Sequence, residues 1–113
     1  MDDLTTSILG SVRKLLGSDN YFDIDLIIHI NSAFSELQQL GVGPEEGFAI
    51  EDESTEWEEY TNDKKIMNMV KTYMVLKVRL AFDISTASSY MIETWKQECQ
   101  RLEWRLQVAC DRS

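Results

Sequence analysis

The chain has 113 residues, of which 43% are hydrophobic and 27% are charged, a composition that excludes a disordered protein and suits one globular domain. No apolar run reaches the roughly 18 residues of a membrane-spanning helix, and the first ten residues lack the basic start of a signal peptide. We therefore expect a single soluble intracellular domain over residues 1–113, with no membrane partner.

The net charge of −9 is unevenly distributed along the chain. Residues 1–41 carry six acids and two bases, residues 42–63 carry nine acids and no base, and residues 64–113 carry five acids and nine bases. We call residues 42–63 the acidic arm. Because the arm would repel a phosphate backbone, the sequence disfavours sequence-specific DNA binding.

Two amphipathic helices are predicted before the arm. Apolar residues at spacings of three and four predict the first helix over about 5–16, and Gly17 ends it. The second is predicted from residue 23 or 25 to residue 40, and Gly41 caps it. The residues of the first helix that are expected to face the core are Leu4, Ile8, Val12, Leu15 and Leu16. The residues of the second helix that are expected to face the core are Ile27, Ile30, Phe34 and Leu37, and Ile24 and Ile28 are expected to widen that face.

The acidic arm is predicted to be a non-helical connection followed by a short helix. Pro44 excludes an unbroken helix, and Phe48 and Ile50 are isolated apolar residues that pin the arm either to the body of the protein or to a neighbouring molecule. Residues Thr55–Glu58 are typical of a capping box, which predicts a short helix ending at Tyr60. The acids of the arm are Glu45, Glu46, Glu51, Asp52, Glu53, Glu56, Glu58, Glu59 and Asp63.

Two long helices are predicted after the arm. The first covers about 64–82, and its broad apolar surface is typical of the central helix of a bundle. Its main stripe consists of Ile66, Met69, Tyr73, Leu76 and Leu80, extended by Val70, Met74 and Val78. A polar linker at about 83–88 leads to the last helix, over about 88–110, whose apolar seam consists of Ile92, Trp95, Cys99, Leu102 and Leu106. These elements predict an all-α fold, a small helical bundle of four main helices plus one short helix, with a long acidic connecting arm and a long C-terminal helix.

The sequence indicates neither a catalytic nor a metal site. Glu56 and Glu59 form an ExxE pair, as in helical Mg²⁺-dependent pyrophosphohydrolases, but no later acid is followed three residues on by the second acid which that chemistry needs. His29 is the only histidine and has no nucleophile motif beside it. Cys99 and Cys110 are too far apart on one helix to bridge each other and too few to bind a metal. We predict no enzymatic activity, no metal and no cofactor.

Trp104 is predicted to lie on the far side of the last helix from its apolar seam. It follows Trp95 by nine residues, which at about 100° per residue places it about 180° around the helix. Arg101, Arg105 and Val108 lie near it. Trp and Arg are enriched where interfaces concentrate their binding energy. Either this face binds a partner, or another helix of the same chain covers Trp104.

Seven segments of the chain match a family pattern in order and spacing. They are INSAF (30–34), LGVGPEEGF (40–48), EW (56–57), VKTY (70–73), LKVRL (76–80), FD (82–83) and LEWRL (102–106). In these segments the chain resembles the head–tail connector proteins of tailed bacteriophages, also called adaptor or head completion proteins. One departure is that family members often place prolines after the Phe-Asp pair, where this chain has Ile84 and Ser85, so the resemblance does not fix the angle of the last helix.

The resemblance implies a non-enzymatic structural protein of the virion neck. Such a protein assembles in the host cytoplasm as a closed ring, expected to be dodecameric on the portal protein. The ring extends the DNA channel and joins the capsid to stopper or tail-completion proteins, while DNA only passes through its lumen. The resemblance also implies that the C-terminal docking helix, at about 88–110, grips the portal. The residues expected at that interface are Arg101, Trp104, Arg105 and Val108.

Two roles remain open for the acidic arm. Its acids from Glu45 to Glu59 either face the lumen, where like charge lets DNA pass, or contact basic residues of the next subunit in the ring. The candidate basic residues are Lys71, Lys77, Arg79, Arg101 and Arg105. An alternative function is that of a small acidic DNA mimic that inhibits a host nucleic-acid-binding protein. The charge of −9 supports this alternative, and the basic C-terminal third opposes it.

Overall fold

Five α-helices and one 3₁₀ turn form the fold in a computed structural model that describes residues 6–18, 20–82 and 88–110. The helices are α1 (Ile8–Leu16), α2 (Asp23–Gln39), α3 (Trp57–Tyr60), α4 (Lys64–Phe82) and α5 (Ser89–Ala109), and the turn is Asn20–Phe22. The predicted all-α fold of four main helices and one short helix is confirmed. Leu4 and residues 83–87 of the predicted linker lie outside the described residues.

The long helices share one hydrophobic core. α1, α2 and α4 pack against one another, and α5 packs along α4. α4 therefore contacts each of the other three long helices, as predicted for the central helix. Its buried residues are Val70, Tyr73, Met74 and Val78. Apart from Tyr73, the stripe predicted as the main apolar face of α4 is only partly buried, because the helix turns the predicted flanking residues Val70, Met74 and Val78 towards the core instead.

Three apolar residues that were predicted to face the core are exposed. Leu15 is 55% exposed, Ile24 is 75% exposed and Ile28 is 59% exposed. Ile28 is two residues from both Leu26 and Ile30, which are fully buried, so it points about 160° away from them around α2. The predicted widening of the α2 core face by Ile24 and Ile28 is therefore wrong.

The chain before α1 pairs with the end of the acidic arm. The Ile8 N–H donates to the carbonyl oxygen of Thr55 at 3.1 Å, and the Trp57 N–H donates to the carbonyl oxygen of Thr6 at 2.9 Å. This backbone pairing explains why α1 begins at Ile8, three residues later than predicted. Ser7 then caps the helix, since its hydroxyl oxygen accepts a bond from a first-turn N–H.

None of the helices in the described parts of the chain is both long enough and apolar enough to cross a membrane.

Candidate partner-binding surface

The acidic arm lies against the body of its own chain. Nδ2 of Asn31, on α2, donates to the carbonyl oxygen of Ile50 at 3.0 Å, and Oδ1 of Asn31 accepts from the Ile50 N–H at 2.8 Å. Ile50 is buried, and the ring of Phe48 packs edge-on against Phe34 with centroids 5.0 Å apart. Phe48 and Ile50 therefore attach the arm to the body of its own chain, which is one of the two expected sites.

α3 anchors the far end of the arm. Trp57 is buried, and its indole Nε1 donates to the hydroxyl oxygen of Ser11 at 3.2 Å. The predicted capping box is present one residue later than expected, with Glu56 and not Thr55 at the N-cap. Oε2 of Glu59 accepts from the Glu56 N–H at 2.9 Å, and the Glu56 side chain accepts from the backbone of Glu59. The two carboxylates therefore satisfy backbone N–H groups that the start of a helix leaves without partners.

Some acids of the arm are paired and others are not. Arg13 on α1 forms ion pairs with Asp23 at 2.7 Å and with Glu53 at 3.0 Å, and the hydrogen bond with Asp23 does most to raise the pKa of Arg13. Asp52 accepts bonds from the hydroxyl and the N–H of Ser54, which lower the pKa of Asp52. All nine acids of the arm are exposed, and within the described residues only Glu53 forms an ion pair. Four of them form neither an ion pair nor a side-chain hydrogen bond there: Glu45, Glu46, Glu51 and Glu58.

The outer face of α5 is exposed to solvent. Trp104 is 66% exposed and Val108 is 58% exposed, and Arg101 and Arg105 beside them are also exposed. Arg101 forms an ion pair with Glu98 one turn earlier on the helix. The opposite side of α5 buries Cys99, Leu102 and Leu106. Nothing in the described part of the chain covers Trp104. The alternative that another helix of the same chain covers this side chain is therefore wrong for the single chain.

An open groove of about 610 Å³ lies beside Trp104. One wall is the end of α5, with Trp104 and Val108, and the other wall is the turn at 40–45 that follows α2. Nε2 of Gln38 holds this turn in place by donating to the carbonyl oxygen of Glu45 at 2.9 Å. The groove could not be predicted from the sequence, because its two walls are more than fifty residues apart and no periodic pattern connects them.

Two polar contacts hold α2 and α5 on the central helix. The Tyr73 hydroxyl donates to Oε2 of Glu103 at 2.8 Å, and Nζ of Lys77 donates to Oε1 of Glu36 at 2.8 Å. Burial, followed by the bond with Glu103, raises the pKa of Tyr73 above its ordinary value. Burial likewise raises the pKa of Cys99 to about 11, so this thiol stays protonated at neutral pH. The bond between Tyr73 and Glu103 therefore helps to hold α5 on α4, with the outer face of α5 turned towards solvent.

The residues considered for catalysis or metal binding do not converge. Glu56 and Glu59 cap α3, and His29 packs its ring against Phe82 with centroids 5.6 Å apart. Cys99 and Cys110 do not bridge each other. Over residues 6–18, 20–82 and 88–110, no group of three or more His, Cys, Asp and Glu side chains is placed to hold a metal ion.

Comparison with known proteins identifies the family. A family model described as "Phage connector protein" matches residues 8–113, which is most of the chain. No curated protein and no solved structure matches the sequence. The matched range contains the arm, the groove and the whole of α5. The chain therefore belongs to the phage connector protein family, and its role is a structural one at the junction of the phage head and tail.

Proposed function

We propose that the protein assembles as a closed ring beneath the portal, extends the DNA channel and joins the capsid to stopper or tail proteins. The observation that carries this proposal is the exposed outer face of α5, where Trp104 stands between Arg101 and Arg105 beside an open groove. A large exposed aromatic side chain flanked by arginines is the composition of an interface hot spot. Family membership supports head and tail proteins as the class of partner.

In this proposal the outer face of α5 binds the portal subunit. The groove accepts an apolar side chain of the portal between Trp104 and the turn at 40–45, while Arg101 and Arg105 remain at the rim. Interfaces gain most of their affinity from a few well-packed residues at the centre, among which tryptophan is enriched. Trp104 is the only tryptophan among the large exposed hydrophobic side chains of the described residues.

Replacing Trp104 by alanine is expected to weaken binding to the portal by about 2 kcal/mol or more, about 30-fold in Kd, without changing stability. The fold is spared because the side chain is 66% exposed. Calorimetric titration of purified portal with each variant measures the affinity, and thermal unfolding monitors the fold. The matched control is Tyr90→Ala, on the same helix, where the ring is 80% exposed and does not line the groove. An unchanged Kd for the Trp104 variant, or an equal loss for both variants, would contradict the assignment.

The acidic arm faces the DNA channel in this proposal. Its exposed acids at positions 45, 46, 51 and 58 repel the phosphate backbone, so passing DNA gains nothing from counterion release. The other possible role is a contact with basic residues of the next subunit. That role has less support, because two of the candidate bases are already paired within the chain, Lys77 with Glu36 and Arg101 with Glu98.

Quantitative mass spectrometry of purified virions tests the proposed function as a whole. A copy number equal to that of the portal subunit is expected, because a ring that matches the portal places one chain beneath each portal subunit. If the chain is abundant in infected cells but absent from virions, the connector proposal fails. The acidic DNA mimic, for which the net charge of −9 is the motivating observation, would then replace it.

A further inference from the structure

An exposed apolar stripe runs along the outer side of α2. Tyr21 in the 3₁₀ turn is 83% exposed, and Ile24 and Ile28 on the helix are 75% and 59% exposed. Their spacing of three and then four residues places them on one face, the pattern by which a helix binds a groove of another protein. Exposed Asp25 adjoins the stripe, and residues 15–63 contain no Lys or Arg. We call Tyr21, Ile24 and Ile28 the α2 stripe.

A small groove between α1 and α4 has the complementary character. It measures about 290 Å³, and its apolar lining is formed by Leu15, Val75 and Leu76. Lys71 and Arg79 also line it. Leu15 is 55% exposed there, although leucine side chains are most often buried. We call this the α1–α4 groove.

The two bases of the α1–α4 groove have no acidic partner within the described residues. Lys71 lies over the ring of Trp57, at 5.6 Å from its centroid. Arg79 lies over Trp95 at 5.9 Å and donates to the Leu15 carbonyl oxygen at 3.4 Å, and its buried Nε has no hydrogen-bond partner in the described residues. By contrast, ion pairs with carboxylates of the same chain engage Arg13, Lys77 and Arg101. A carboxylate from another molecule would therefore be favoured at this groove.

The two surfaces are formed by different parts of the chain and share no residue. α1, α2 and α4 pack against one another, and no residue of α2 lines the α1–α4 groove. The α2 stripe points away from the core that these helices share, because Ile28 is about 160° from the fully buried Leu26 and Ile30. Two different, complementary patches form a head-to-tail contact, which closes into a ring when the rotation between subunits permits.

We infer that the α2 stripe of one copy of this chain docks into the α1–α4 groove of the next copy, and that this is the contact between neighbours in the ring. Ile24 and Ile28 meet the apolar lining of the groove, and Asp25 approaches Lys71 and Arg79. Pairing of two like surfaces is disfavoured, since it would place two Asp25 carboxylates together in one case and four cations together in the other. The inference rests on the proposed ring and names its subunit interface.

Cross-linking tests this contact in the full-length protein. A chain that carries both Ile28→Cys and Thr72→Cys, in a Cys110→Ala background, is treated with a short bis-maleimide. Thr72 lines the groove and is exposed, and Cys99 stays in place because a buried, protonated thiol reacts slowly. A ladder of covalent multimers is expected from the double variant. Each variant that carries only one of the two introduced cysteines should yield monomers only, because the two patches are different.

A pair of charge variants at one position provides a second measurement. Ile28→Lys places a cation against Lys71 and Arg79, while Ile28→Glu places an anion there. The concentration needed for half assembly, measured by native mass spectrometry alone and with portal present, is expected to be about tenfold or more higher for the Lys variant than for the Glu variant. Ile28 is exposed, so circular dichroism should show that both variants fold as the wild type does.

The outcomes separate the inference from the proposed function. If the wild-type chain assembles but the double variant gives no ladder and the two Ile28 variants assemble equally, the α2 contact is wrong and the ring stands. If single-cysteine Ile28→Cys alone gives dimers, the stripe pairs with itself and the inference is also wrong. If the wild-type chain remains monomeric both alone and with the portal, the ring itself fails, and the proposed function fails with it.

Discussion

Replacing Phe34 by alanine is expected to lower the free energy of unfolding by about 3–5 kcal/mol. Phe34 is 2% exposed on α2, and its ring contacts three other aromatic rings. The centroid distances are 4.8 Å to Tyr60, 5.0 Å to Phe48 and 6.5 Å to Trp57. These three rings belong to the acidic arm, so the truncation removes the side chain against which the arm packs. A loss of this size is a large part of the total stability of a small domain.

Urea denaturation followed by circular dichroism measures this loss. The matched control is Phe22→Ala, which removes the same side chain where it is 41% exposed and packs on Tyr21 and Phe82. We expect the control to cost clearly less, because part of that ring is already in water. Amide exchange in residues 48–60 should rise in the Phe34 variant and not in the control. Equal unfolding free energies for the two variants would show that the aromatic cluster does not hold the arm.

The helices could be predicted from the sequence because their signals are local. α4 was predicted over 64–82 and lies at Lys64–Phe82, and the seam residues Cys99, Leu102 and Leu106 of α5 are buried as expected. A periodic apolar stripe indicates that a helix face is buried, but it does not show whether the same chain or a partner molecule covers that face. Ile24 and Ile28 were therefore assigned to the core, although their own chain leaves them exposed. Their apolar character has no explanation within the monomer, which is why they support a contact between copies.

The path of the arm and the groove beside Trp104 could not be predicted. The bonds of Asn31 go to the backbone of Ile50, and backbone groups carry no sequence signal. A polar residue on a helix does not reveal whether it binds solvent, a neighbouring side chain or a distant loop. The exposure of Trp104 was one of two open alternatives, because the angle around one helix does not say whether a second helix covers it. Only the packing of α2, the turn at 40–45 and α5 answers that question for the single chain.

Replacing Gly43 by alanine is expected to destabilise the fold by about 2–5 kcal/mol. Gly43 has φ of +89°, where a side chain costs about 1–2 kcal/mol. A Cβ there would also lie 2.6 Å from the Tyr60 hydroxyl oxygen and 2.7 Å from its ring, which adds an overpacking cost of about 1–3 kcal/mol. Tyr60 cannot easily withdraw, because its ring is 6% exposed and is packed against Phe34 and Phe48. The unfolding free energy from urea denaturation measures the total.

Gly41→Ala provides a control that separates the two causes. Gly41 has φ of +83°, but a Cβ there would meet no atom within 4 Å, so only the backbone cost of about 1–2 kcal/mol is expected. The difference between the two variants isolates the contact with Tyr60, and equal losses would show that the ring moves aside. Because Gly41 and Gly43 both line the groove beside Trp104, the same pair tests whether the turn shapes the proposed portal-binding site. If the outer face of α5 binds the portal as proposed, a variant that stays folded yet binds portal more weakly would show that the geometry of the turn, and not Trp104 alone, determines the affinity.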